Sequence, residues 1–455
     1  MKKTILFGAV FAILLTADFA NAANIFDIEG GEATTVGIYI KSLTDGQIIV
    51  DENASLALTP ASVTKAVTSA TALNLLGPDF RFSTPVILTG RRSESNKSIW
   101  EGNLEINASG DPTIENPDLK MNMWFTDSII AGVKRLGITK ITGTIIIKED
   151  MSGAGPIAQW EVEDIAWPYG AGLYGFNYAG NYVRVYPNTS TTIPASNLKI
   201  EVRSADRTDL LRGVGSENLI VWTSQKNRQN PKWNVNATIP NPAAVYSNLL
   251  KSKLNAAGIT ISDRQANVNG SQITSVYTHF SPKLLDICRD LMKRSDNLFA
   301  EGMLRALLPG ESREKCLKKE REFWTSQGLE AKYNIINDGS GLTRANRISP
   351  IFLGSMLEKM AFSEYAEQYV DFFPVAGVDG TLKSFLEKTR LKGRLAMKTG
   401  SVSSVQTYAG YKLDSEGQPT HVVVVMVNGF FCSRAALRKK IESYLLNIFD
   451  NQSNL

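Results

Sequence analysis

The chain has few of the residues that usually mark a metal centre or a histidine-based nucleophile. Of its 455 residues three are Cys (Cys288, Cys316, Cys432) and two are His (His279, His421). The cysteines lack metal-ligand spacing, and neither histidine stands in a stretch rich in Ser or Asp, so a Ser-His-Asp triad has nothing to draw on. No metal or other cofactor is expected. Because three is an odd number, a Cys288–Cys316 disulfide and a set of buried free thiols both stay open. Long apolar runs are missing too: Ile5 to Leu15 is well short of the ~20 residues that span a bilayer, and nothing later approaches that length. Charge of one sign is also absent. The net charge is +4 with the basic residues dispersed, which leaves no electrostatic footprint for nucleic acid. Internal repeats and low-complexity tracts do not appear.

What is present begins with a leader. Lys2 and Lys3, the apolar run and Ala20-Asn21-Ala22 follow the order of a secretory signal cleaved after Ala22. Losing Lys2, Lys3 and Asp18 with it lowers the net charge to +3. No Cys follows the cleavage point, so an exported protein without a lipid anchor or membrane span is expected. The length exceeds the ~250–300 residues at which single cores stop growing, so two or three domains are expected.

The stretch around which the rest is organised is Thr59-Pro60-Ala61-Ser62-Val63-Thr64-Lys65. Thr59 and Pro60 read as a helix cap and first turn, Val63, Ala66, Val67, Ala70 and Leu73 recur at helical spacing, and Gly77-Pro78 is a stop. Ser62 then lies in the first turn, where its N–H has no partner within the helix and the dipole favours negative charge. Lys65, three residues on, shares its face. One turn of helix thus places a nucleophile beside a base.

Elsewhere, Thr35 to Ile40 and Gln47 to Val50 flank Asp45-Gly46 as a hairpin. From about 84 to 275 the texture changes to short strands and turns, with a helix at Phe125 to Leu136, a strand at Ile141 to Ile147, strands between 198 and 224, a connection from Pro231 to Pro242 and a helix from Ala243 to Gly258. Trp160, Trp167-Pro168-Tyr169-Gly170 and Asn177-Tyr178 form an aromatic patch, read as packing in preference to substrate contact. Helical runs at Pro282 to Leu308 and Cys316 to Gln327 precede three adjacent strands, Ala396 to Thr399, Val405 to Leu413 and His421 to Asn428. Arg434 to Phe449 closes the chain as an amphipathic helix suited to the sheet more than to a membrane.

Two further motifs decide the chemistry. Arg294-Ser295-Asp296-Asn297 follows a helix and offers Ser295 and Asn297 from a tight turn. Lys398-Thr399-Gly400-Ser401 lies on a strand, with Lys398 and Gly400 facing one way, Thr399 and Ser401 the other, and Gly400 letting a substrate backbone approach. Singly, Ser295, Asn297 and Thr399 would be caps or surface groups; in this order after Ser62 and Lys65 they are specific.

With that trio the chain resembles the serine D-alanyl-D-alanine carboxypeptidases of the penicillin-binding protein superfamily. Leu76 to Phe82, Gly110-Asp111-Pro112-Thr113, Asp338-Gly339-Ser340-Gly341-Leu342 and Pro374 to Thr381 narrow it to the class C low-molecular-mass group, which carries carboxypeptidase and endopeptidase activity. The resemblance implies an α+β multidomain fold. A penicillin-binding, β-lactamase-like domain (23–86 and 275–455), with an antiparallel sheet flanked by helices, would follow the leader (1–22) and carry two inserted domains, one β-rich (87–112 and 180–274) and one at 113–179. It implies a periplasmic enzyme acting on peptidoglycan stem peptides and acylated by β-lactams, with a homodimer left open. By the same resemblance Ser62 is the nucleophile, Lys65 its base with a pKa lowered by burial and by Lys398, and Ser295 the relay to the leaving amine. Asn297 holds the substrate amide, Lys398 and Thr399 take the terminal carboxylate, and the N–H groups of Ser62 and Ser401 form the oxyanion hole. A β-lactamase or esterase on this scaffold, and a non-catalytic wall-binding protein, are the alternatives.

Overall fold

The computed structural model describes residues 26–119, 124–266, 272–330 and 333–451. The expected signal segment lies outside them. Strands β1 (Thr35–Ser42), β2 (Ile48–Glu52), β3 (Leu395–Val402), β4 (Val405–Leu413) and β5 (Pro419–Asn428) form one sheet in the order β3-β4-β5-β1-β2, antiparallel throughout. The β1–β2 hairpin and the three C-terminal strands stand where the sequence places them. β5 explains its own unbroken apolar run: Val422, Val424 and Met426 face one layer and Val423, Val425 and Val427 the other.

One layer contains α1 (Thr64–Leu76), α2 (Leu284–Arg294), α3 (Asn297–Ala306), α4 (Arg313–Ser326) and α5 (Pro350–Ala361). α1 is central and buried on all sides, so its polar residues bond inward: Thr68 donates to the Gly339 carbonyl and Thr71 to that of Val67. Gly77, with φ +82°, ends it. Its start differs from expectation. Ala61–Val63 is a separate 3₁₀ turn entered through Ala61 at φ +49°, and α1 proper begins at Thr64. Thr59 does not cap it, because its N–H donates to Asn428 Oδ1 on β5 and its hydroxyl accepts from Arg347. The opposite layer is the closing helix α6 (Arg434–Asn451), whose Leu437, Ile441, Leu445 and Phe449 recur every four residues against the sheet. Among the described residues no helix is long and apolar enough to cross a membrane.

The intervening chain builds a six-stranded sheet from residues 83–92, 99–107, 140–141, 145–148, 260–261 and 272–280, covered by helices at 125–135 and 242–256, plus two three-stranded sheets. This pairing cuts across the expected division, because strands at 140–148 share a sheet with 83–92 and 272–280. The expected strand Ile141 to Ile147 is two short ones, Lys140–Ile141 and Ile145–Lys148, interrupted where Gly143 donates to the Gly102 carbonyl. The expected connection before Pro242 contains a strand, Val235–Thr238, which is paired with 182–185. The helical run from Pro282 is split at Ser295. All three cysteines are free thiols, Cys288 and Cys316 as small core groups, so the disulfide alternative falls.

Ile441→Ala should cost about 2–5 kcal/mol by leaving a cavity between α6 and the sheet, whereas Lys439→Ala on the exposed face should stay within about 0.5 kcal/mol. Thermal denaturation of the two variants beside the parent chain checks this.

Candidate active site

Ser62 sits in the 3₁₀ turn and Lys65 in the first turn of α1, and the Lys65 Nζ is 3.0 Å from the Ser62 Oγ. Lys65 is fully buried, and its Nζ has two further partners, Asn297 Oδ1 and the Ser340 carbonyl, each at 2.5 Å. Both are pure acceptors. A neutral amine has two N–H bonds, which these oxygens take, so its lone pair faces the serine hydroxyl. Asn297 is held in that sense because its Nδ2 donates to the Tyr169 carbonyl at 2.7 Å.

Burial makes Lys65 easier to deprotonate than a free lysine. Burial pushes Lys65 down to about 8, against the opposing pull of Asp338, Asp296 and Glu301. Burial, and then the neighbouring Lys65 charge, hold Lys398 well below the ordinary lysine range. Lys398 is also fully buried. Its Nζ donates to Ser295 Oγ at 2.9 Å and to the Thr399 carbonyl at 2.7 Å, so it lies beneath the cleft.

Backbone geometry brings these groups together. Ser295 adopts a left-handed conformation, φ +63°, between α2 and α3, where the Asp296 side chain caps α3 through the Phe299 N–H. That reversal puts Ser295 Oγ over Lys398 and Asn297 beside Lys65. β3 is the edge strand of the sheet. Lys398 and Gly400 point inward, while Thr399 and Ser401 line the cleft with Ser62 and Ser295. Gly400 serves a different end from the one expected. A Cβ there would lie 2.2 Å from Thr407 Oγ1, 2.6 Å from the Pro60 carbonyl and 2.9 Å from the Ser62 nitrogen, so its bare Cα lets β3 close on the nucleophile's turn. Thr399 Oγ1 donates to Thr381 Oγ1 and Ser401 Oγ to Gln406 Oε1.

All eight residues singled out from the sequence thus meet around Ser62. Asn297 is engaged at both ends, so it aligns Lys65, and its second Nδ2–H and second Oδ1 lone pair remain for a substrate amide. Two participants were not singled out for the site. Ser340 acts through its carbonyl, which no side-chain pattern reveals. The only signal was Asp338, whose carboxylate accepts from the Gly341 and Thr343 N–H groups, Asn346, Ser340 Oγ and Trp160 Nε1 and so shapes the loop. Tyr169, read as packing, is half-exposed and lines the cleft; Trp160 is buried as expected. Ser62 borders two cavities, one of about 530 Å³ reaching Thr381 and α6, the other of about 380 Å³ reaching Asp164, Tyr169 and Arg344.

A serine whose hydroxyl faces a desolvated lysine amine, beside a second buried lysine and a strand edge, defines an acyl-transfer site of the serine–lysine type. The chain belongs to the D-Ala-D-Ala carboxypeptidase 3 (S13) family, which matches residues 21–448, and is a serine-type peptidase. It is 26% identical over 431 residues to the D-alanyl-D-alanine carboxypeptidase DacB of Haemophilus influenzae, covering 88% of this chain and 86% of that one. It is 24% identical over 434 residues to a D-alanyl-D-alanine carboxypeptidase of Actinomadura, with 86% and 78% covered. In fold it is similar to the crystal structure of penicillin binding protein 4 from Haemophilus influenzae, with a TM-score of 0.78, 24% identity, and 94% and 98% of the two chains covered. A predatory peptidoglycan endopeptidase of Bdellovibrio bacteriovorus shares the fold more loosely, with a TM-score of 0.52 and 16% identity over 92% of this chain and 93% of that one.

Because the base must be unprotonated, acylation should rise with pH and level off above about 8, falling about tenfold per unit below. Stopped-flow acylation rates across pH test the sign; a limb that descends in this range contradicts it. Gly400→Ala should slow acylation at least about 100-fold by displacing the Ser62 turn from β3, read in the same assay.

Proposed function

We propose that this chain is a periplasmic serine D-Ala-D-Ala carboxypeptidase that also cleaves D-alanyl cross-links, and that Ser62 carries the acyl group. Lys65 takes the Ser62 proton as Oγ attacks the carbonyl between the two D-alanines. The tetrahedral oxyanion sits between the N–H groups of Ser62 and Ser401, each donor worth ~3–4 kcal/mol in the transition state. The C–N bond then breaks, and the proton reaches the leaving amine through Ser295. Water, deprotonated by the same amine, hydrolyses the ester.

The terminal carboxylate meets Thr399 and Thr381 above Lys398. Lys398, buried beneath that position, donates to Ser295 Oγ and the Thr399 carbonyl and so fixes the floor on which the carboxylate rests. A β-lactam has the same carboxylate and strained amide, and its ring keeps the leaving amine tethered, so it remains on Ser62.

The observation that carries this reading is the buried Lys65 Nζ, 3.0 Å from Ser62 Oγ and 2.5 Å from both Asn297 Oδ1 and the Ser340 carbonyl, so that once it loses a proton its two N–H bonds can go to those acceptors and its lone pair to the hydroxyl. Mass spectrometry after exposure to penicillin should find one adduct on the peptide containing Ser62, and none in Ser62→Ala. Lys65→Ala should lose at least about 100-fold in acylation rate. No adduct on that peptide, or rapid turnover of a chromogenic cephalosporin in its place, defeats the proposal.

A further inference from the structure

The cleft is longer on one side than release of a single alanine requires. From Ser62 and Ser401 the cavity of about 530 Å³ runs past Thr399 and Thr381 to the first two turns of α6. Its lining includes no carboxylate. The charged residues that border it are Arg434 and Arg438, four apart and so on one face of the helix.

Both guanidinium groups are held in place. Arg434 donates to the Val402 and Val405 carbonyls and to Gln406 Oε1, and lies 5.4 Å from the Phe430 ring. Those oxygens are all uncharged, so its positive charge is left for a ligand. Arg438 lies 5.3 Å from the Phe385 ring and donates to Ser384 Oγ, while Glu442 meets its Nε at 3.4 Å. Planar, pre-oriented guanidinium groups at the wall of a cleft are suited to carboxylates.

Where the leaving residue's carboxylate rests at Thr399 and Thr381, everything beyond it on this side belongs to the leaving group. A D-alanine ends there. In a cross-link the leaving amine sits on the D-centre of a diamino acid, whose own carboxylate occupies the same place. Its side chain continues into a second stem peptide that bears further carboxylates. We propose that Arg434 and Arg438 form a subsite for a carboxylate of that second stem and so set the preference for cross-linked over uncross-linked substrate. The bond broken and the proton path are those of the acyl transfer above. The inference rests on that reading of the cleft.

Arg438 is the informative position, because Arg434 also braces the strand that carries Ser401 through Gln406. The mature protein is assayed on a purified cross-linked muropeptide dimer and on the uncross-linked pentapeptide. In Arg438→Gln the ratio of kcat/KM for dimer over pentapeptide should fall about tenfold, mostly through KM for the dimer, and Arg438→Lys should recover most of it. Added salt should lower the ratio in the parent chain and much less in Arg438→Gln. A ratio unchanged in Arg438→Gln, or an equal loss on both substrates, overturns the subsite. If the parent chain neither forms the penicillin adduct nor releases D-alanine, the failure belongs to the proposed function itself.

Discussion

The structure depends on keeping one amine dry. Lys65 is enclosed on every side, and taking an ammonium out of water is costly enough that the group gives up its proton more readily. Two fixed oxygens, from Asn297 and Ser340, satisfy the neutral amine and aim its lone pair. Much of the surrounding architecture keeps those oxygens in place. Asp338 gathers a loop so that one carbonyl points inward, and Tyr169 holds the far end of the asparagine.

The same requirement accounts for the way residues 157–169 meet the 338–346 loop and Asn297. Trp160 and Tyr169 lie far in sequence from the residues they serve, yet one bonds the carboxylate that shapes the 338–346 loop and the other bonds Asn297. Ile157 and Trp160 pack with Leu342, and Thr343 donates to the Gln159 carbonyl. Residues 157–169 are therefore a wall of the cleft and a support for its base.

Much of the fold was legible. The β1–β2 hairpin was legible from its Asp45-Gly46 turn, the C-terminal strands from their β-branched and aromatic runs, and the closing helix from apolar residues recurring every four. The eight candidate residues could be picked out as a group because each set is local: Ser62 and Lys65 lie three apart, Ser295 and Asn297 stand at one αL turn, and Lys398 to Ser401 lie on one strand. The insert was harder to read. Short strands such as Lys140–Ile141 gain stability from neighbours far along the chain, and the residues at 235–238 have no alternation strong enough to show that they pair with 182–185. The start of α1 was misplaced because Thr59 and Pro60 are claimed by β5, Arg347 and Thr407, all remote in sequence.

The sequence by itself determined which side chains could do the chemistry, since a hydroxyl and an amine three residues apart at a helix start are neighbours whatever else the chain does. Only the tertiary structure decided that the amine would lose its proton more readily than a free lysine, that Gly400 would serve the nucleophile's own turn, and that a backbone carbonyl would complete the site. Each of these depends on burial and on contacts between segments hundreds of residues apart, and neither burial nor a carbonyl's direction is written in the identity of any one residue.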